Sequence, residues 1–342
     1  MTKYLKITYI IAAVAVILCT VPVEVNAGIG IHAPKRDYNG KVSYSYVYFG
    51  SYPQREVVSK HNKAQMAVLN SRSASYKVVS AAKWRKIVKA NYNKNGDARV
   101  GGVKYRRIKA TDATQRYDYD EPSMYKWLNE TSYHYFLYEP IKWRVLEYKN
   151  GKAMLLSEYA LDDVKYNEKV SWNIKWKNST VRSWMNGYGS NKNSCGINYT
   201  SKNFIDTAFT ATQQRKILNN RIASGARDKV FLLSESDVFG GSKAYGHGFS
   251  KRYSEWDESR RCKCTTYAFA KGIYRSKGTA LRGNVWWWLR SPNYGGDSSS
   301  YVEYGGDVSL AGQNMDKDAG GIRPAIMVKK STLKALKCIY SN

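Results

Sequence analysis

Histidine and cysteine, the residues that most often build metal centres and nucleophilic sites, are scarce in this 342-residue chain, at four and five. His32, His61, His134 and His247 stand far apart, and no H-E-x-x-H sets two of them on one helix face for zinc hydrolysis. A nucleophile elbow is missing too. Gly240-Gly241-Ser242-Lys243-Ala244 departs from G-x-S-x-G at the final glycine, which the sharp turn requires. Beyond the N-terminus no run is apolar and long enough to cross a bilayer. Acidic residues are few: Asp+Glu number 27 against 55 Lys+Arg, a formal net charge of +28. With no catalytic set to assemble, the residues point toward binding.

What is present begins with the basic segment Met1-Thr2-Lys3-Tyr4-Leu5-Lys6, an apolar run over 7–23, and the small-residue pattern Val25-Asn26-Ala27. This reads as a secretory signal peptide over 1–27. An uncleaved N-terminal anchor is the alternative, since about 17 apolar residues just span a thin bilayer. Cleavage leaves an extracellular chain, secreted or wall-associated, with no integral span. Removing two lysines (Lys3, Lys6) and one glutamate (Glu24) takes the net charge from +28 to +27. Such an excess is a statement about partners. It favours an anionic cell-wall polymer or glycan, with anionic lipid and nucleic acid in the same class; a diffuse basic surface suited to an acidic wall is the alternative. Cys195, Cys262, Cys264 and Cys338 survive cleavage and allow three pairings. At most one or two structural disulfides are expected, with free thiols as the alternative.

Along the chain, residues 28–43 are a polar lead-in. Tyr44 to Phe49 has strand composition, broken by Gly50 and Pro53. Helices are expected over 61–70 and 80–92, the second capped by Ser80 with Ala81, Ala82, Trp84, Ile87 and Val88 mostly on one face. A strand follows over 102–109, then a helix opening at Glu121-Pro122-Ser123 that carries Met124, Trp127 and Leu128 inward. Residues 141–148 alternate at period two, and after Asn150-Gly151 residues 153–157 form the hairpin partner. Both that segment and its echo over 230–235 end in Ser-Glu, suited to leaving a strand and capping a helix. Helices over 179–186, 204–209 and, behind the capping box Thr210-x-x-Gln213, 215–220 precede a short helix over 265–271 closed by Gly272. A glycine-turned hairpin spans 301–311. Short paired strands with helices between them indicate an α+β fold.

Eight motifs punctuate this order: Phe49–Gln54, Trp143–Leu146, Leu155–Ser157, Ser179–Asn186, Phe204–Phe209, Leu232–Ser234, Trp287–Pro292 and Gly321–Ala325. The series resembles a family catalogued as domain of unknown function 6273, common in secreted proteins of gut-type Gram-positive bacteria. That family is similar to the C-type-lectin-like fold of formylglycine-generating enzymes and phage receptor-binding proteins. The resemblance implies one C-type-lectin-like domain over 44–338, built of short antiparallel strands, short helices and long loops. An inserted helical region is expected at about 60–130. It also raises an alternative function, an exported enzyme using the late cysteines Cys262 and Cys264, or an unrecognised hydrolase.

No catalytic residue and no metal ligand are assigned. For binding, Trp287 is the ring offered as a platform for sugar, because Trp286 and Trp288 point to the opposite face of a strand. Asn314, Asp316 and Asp318 are its polar neighbours. These residues, with Gln313, Asp297 and Asp307, also carry oxygens that calcium would take. The loop lacks the Glu-Pro-Asn or Gln-Pro-Asp signature of sugar-binding lectins, so no cofactor is expected and calcium stays an alternative. Trp288, Arg290, Pro292, Arg323 and Pro324 are assigned to structure, the arginines as holders of loop carbonyls.

Overall fold

The aromatic and β-branched run that starts at Tyr44 continues past Gly50 and Pro53. In the computed structural model it forms a strand, β1, over Ser45–Ser59. The structure describes residues 30–116, 121–169, 172–223, 225–253, 256–293, 297–316, 319–334, 336 and 338–340, so the expected signal peptide lies outside it. The two expected breakers become irregularities of pairing. The register against the neighbouring strand shifts between Tyr48 and Ser51 and again between Pro53 and Arg55. A bulge accommodates a proline without an N–H and a glycine at φ +69° while the strand runs on.

Helix α1 (Lys63–Ser71), β2 (Tyr76–Val79), α2 (Ala81–Val88), β3 (Asp97–Val100) and β4 (Val103–Ile108) follow. The segment expected to be a helical insertion is therefore mixed. Ser80 caps α2 through the Lys83 amide, but the helix stops at Val88, and of its expected inward face only Ile87 is fully buried. The helix expected from Glu121 is absent. Residues 121–124 make a turn that buries Met124 and leaves Leu128 exposed. The lead-in carries a two-stranded antiparallel pair, Lys35–Arg36 with Val42–Ser43.

The period-two segment is the long strand β5 (His134–Lys149), turning at Asn150-Gly151 into β6 (Lys152–Ser157), with β7 (Asp162–Lys165) beyond. Then come α3 (Thr180–Asn186), α4 (Phe204–Ala208), α5 (Ala211–Lys216), β8 (Val230–Phe231), α6 (Glu235–Val238), α7 (Gly241–Gly246) and α8 (Thr266–Lys271). The C-terminal part holds β9 (Trp287–Pro292), β10 (Ser298–Val302), β11 (Val308–Asn314), β12 (Ala319–Ile322), β13 (Ala325–Lys329), α9 (Lys330–Lys334) and β14 (Cys338–Tyr340).

These strands form two main sheets. One has nine strands with the path β8-β13-β6-β5-β1-β14, and β2, β4 and β3 attach at the far ends of β1 and β5. The other has five in the order β11-β10-β9-β12-β7, antiparallel except for β9 beside β12. The class is α+β. Among the described residues no helix is long and apolar enough to cross a membrane.

Long-range contacts between the motifs explain their residue types. Phe49 and Phe209 pack with ring centroids 5.3 Å apart. A Cβ on Gly50 would lie 2.5 Å from the Phe209 ring, so only glycine admits helix α4's C-cap there. Arg182 on α3 donates through Nε to Asp228, and Asn186 bonds the backbone of Lys229 and Val230, which fixes β8. The first Ser-Glu starts no helix: Glu158 instead takes both arms of Arg144 at 2.9 and 3.0 Å. The second does, with Asp237 accepting from the Ser234 amide and hydroxyl.

Candidate functional site

The structure buries the tryptophan block. Trp286, Trp287 and Trp288 are 9, 0 and 0% exposed. Trp287 donates its indole N–H to the Arg260 carbonyl and lies under the Arg323 guanidinium at 5.0 Å, so it is a core ring, and its assignment as a sugar platform is corrected. The strand periodicity was right that the faces alternate. Both faces, however, are covered: Trp287 lies under Arg323, and Trp288 meets the Tyr166 ring at 5.7 Å.

Asn314 closes β11 and Asp316 lies in the turn after it, with Met315 buried between them. Asp318 is outside the described residues. Asp297 reaches this turn through its carbonyl, which accepts from the Met315 amide. Among the described residues no three His, Cys, Asp or Glu side chains gather as metal ligands.

The arginines end on backbone. Arg290 donates to the Leu232 carbonyl at 2.6 Å and to Asp237 at 2.7 Å. Arg323, fully buried, donates to the carbonyls of Ser157 and Arg260. Pro324 offers its carbonyl to the Ser157 amide, and Pro292 ends β9 opposite Ser299. The two Leu-Leu-Ser segments are thus each held by a late arginine, Arg290 on β9 and Arg323 between β12 and β13.

Cys195, Cys262 and Cys264 are free thiols, which corrects the expectation of disulfides among them; the side chain of Cys338 lies outside the described residues. Burial pushes the Cys262 thiol up and the Cys264 thiol up to about 12. A nucleophilic or metal-ligating cysteine needs the opposite shift.

A cavity that the sequence did not point to lies beside Cys264. It measures about 480 Å³ and adjoins a second of about 210 Å³, the two sharing Ser73, Arg275 and Arg282. Its walls come from β1 (Arg55), the loop after α1 (Ser73, Ser75), β5 (Glu139), the run into α8 (Lys263, Thr265, Thr266), and the loop beyond α8 (Arg275, Arg282). Arg55 is held bidentately by Glu139. That pair leaves the trough its Lys263, Arg275 and Arg282 charges.

Arg275 is set rigidly by the Arg72 and Ser73 carbonyls and by the Phe269 ring 4.7 Å away, and it has no carboxylate partner among the described residues. Lys263 and Arg282 are exposed, with no bond to their side chains among the described residues. Three cations without counter-charge, rimmed by hydroxyls, make a place for anionic oxygens, which guanidinium forks bind with charge-assisted hydrogen bonds. Only the excess of basic residues hinted at this site. Its lining runs from Arg55 to Arg282 in the chain.

The model of a family described as Domain of unknown function (DUF6273) matches residues 150–330. Lys263, Arg275 and Arg282 fall inside that region, while Arg55, Ser73, Ser75 and Glu139 come from the part before it. No curated protein and no solved structure matches the chain.

Proposed function

We propose that this chain, which belongs to the DUF6273 family, is a non-catalytic binding protein that attaches to an anionic wall polymer or glycan through the basic trough. The observation that carries the reading is the set Lys263, Arg275 and Arg282, unneutralised by carboxylates at a cavity of about 480 Å³. The net charge of +28 supplies long-range attraction. Export by residues 1–27 and a C-type-lectin-like arrangement of the domain belong to the same reading, supported by the signal-type N-terminus and by the mixed α+β class with short helices between mainly antiparallel strands. The competing reading, an enzyme working through Cys262 and Cys264, is disfavoured because burial holds both thiols protonated.

The test is binding of the full mature chain to purified wall polymer and to heparin resin across a salt titration, with duplex DNA as a comparison polyanion. If about three anionic groups are neutralised, affinity falls roughly 20–40-fold between about 50 and 200 mM salt. Lys263→Glu with Arg282→Glu reverses two exposed charges without touching the core and lowers binding at least tenfold. Retention in molar salt, or unchanged binding by the double variant, overturns the proposal. Tighter binding to DNA than to wall polymer reassigns the polymer.

A further inference from the structure

Against α8, lined by its Tyr267 and Lys271, lies a smaller cavity of about 160 Å³. Here Tyr52, Arg106, Asp162 and Tyr267 present side chains that are all more than nine-tenths buried. They stand on three strands and a helix, β1, β4, β7 and α8, so the pocket is built on rigid elements. Asp162 is the unusual member. At 4% exposure its carboxylate accepts the Tyr52 hydroxyl at 2.5 Å and the Asp163 amide at 2.9 Å. Both donors are neutral, and among the described residues no cation comes within ion-pair distance of Asp162; the Lys271 ammonium acts on it only from farther away. A buried carboxylate without a paired counter-charge is costly.

Arg106 cannot supply that charge, because Asp97 holds it bidentately at 2.7 and 2.9 Å. Around Asp162 stand the aromatic rings of Tyr52, Trp184, Tyr199 and Tyr267, walls that favour an organic ammonium. The rim carries the opposite sign. Lys202 is exposed and has no side-chain partner among the described residues, and the Lys271 ammonium reaches only the Asp112 carbonyl. Burial pulls Lys271 below the ordinary lysine range, although Asp162, Asp163 and Asp112 act on it with opposite charge. Glu168 completes the lining.

A lone cation would meet Lys202 and Lys271, and a lone anion would meet Asp162 and Glu168. A molecule bearing both charges satisfies both ends. We propose that this cavity binds a small zwitterion of amino-acid type, its ammonium on Asp162 within the aromatic walls and its carboxylate on Lys202 and Lys271. The site is separate from the basic trough and does not depend on it.

The experiment is calorimetric titration of the full chain with glycine, L-alanine and D-alanine, with ethylamine and acetate as single-charge probes. At least one amino acid binds, and each single-charge probe binds at least tenfold more weakly. Asp162→Asn removes binding. Lys202→Ala, at an exposed position that leaves the fold intact, weakens it at least fivefold, and so decides the matter even if Asp162→Asn does not fold. The trough variant Lys263→Glu with Arg282→Glu retains amino-acid binding, which keeps this proposal distinguishable from polymer attachment. Absence of binding by all three amino acids overturns it. So does equal binding of ethylamine or acetate, or affinity unchanged in Lys202→Ala.

Discussion

Replacing Arg290 by alanine tests whether the late arginines hold the fold. Arg290 is 11% exposed and joins the Asp237 carboxylate, itself 1% exposed, to the Leu232 carbonyl. Removing one partner of a buried pair costs about 3–5 kcal/mol, because the other charge stays behind. Lys243, half exposed, still faces Asp237, so the low end applies, about 3 kcal/mol. At about 1.5–2 °C per kcal/mol for a domain of roughly 300 residues, the melting temperature falls by roughly 4–6 °C at neutral pH. The pH dependence adds a second check. Burial works against the Asp237 carboxylate, but Arg290 and Lys243 outweigh it and hold its pKa well below the usual range. A depressed folded pKa contributes stability that is complete above the unfolded value near 3.9 and lost as pH falls below it. The gap between parent and Arg290→Ala therefore narrows as pH drops from about 5 toward 2. Thermal unfolding followed by circular dichroism at several pH values measures both. A variant that melts with the parent at pH 7, or a gap that does not narrow in acid, refutes the reasoning.

Gly50→Ala places a methyl 2.5 Å from the Phe209 ring at φ +69°, whereas Gly101→Ala, at φ +57°, meets nothing within 4 Å. The first costs more than the second by at least about 1–3 kcal/mol, read as the difference in denaturant midpoints; equal losses would show that Phe209 does not pack there. Asp163 is fully buried, neither carboxyl oxygen has a hydrogen-bond partner among the described residues, and burial with the neighbouring Asp162 raises its pKa well above the usual range. With a raised folded pKa, stability falls as pH climbs above the unfolded value near 3.9. Asp163→Asn thus flattens the stability curve between pH 4 and 7, and an unaltered slope would sink the idea.

The sequence by itself determined what depends on near neighbours. Ser80, Ser179 and Thr210 cap their helices through the amides three residues on, and Gly187 takes the left-handed conformation that ends α3. The period-two run in β5 and the Asn150-Gly151 turn set a hairpin, since alternation and turn chemistry are local. The α+β class follows from such signals, as does the order of the motifs. Only the tertiary structure decided the rest. Local breaker chemistry at Pro53 was overridden by two bulges against β5, and the turn at Glu121 had too few packed apolar residues to become a helix. Trp287 alternates as a strand residue should, yet both faces of β9 are covered, and periodicity cannot report a second layer. The basic trough and the small cavity join residues from Tyr52 to Arg282. Their chemistry arises from which charges find partners on folding. That depends on three-dimensional distance, which spacing along the chain does not encode.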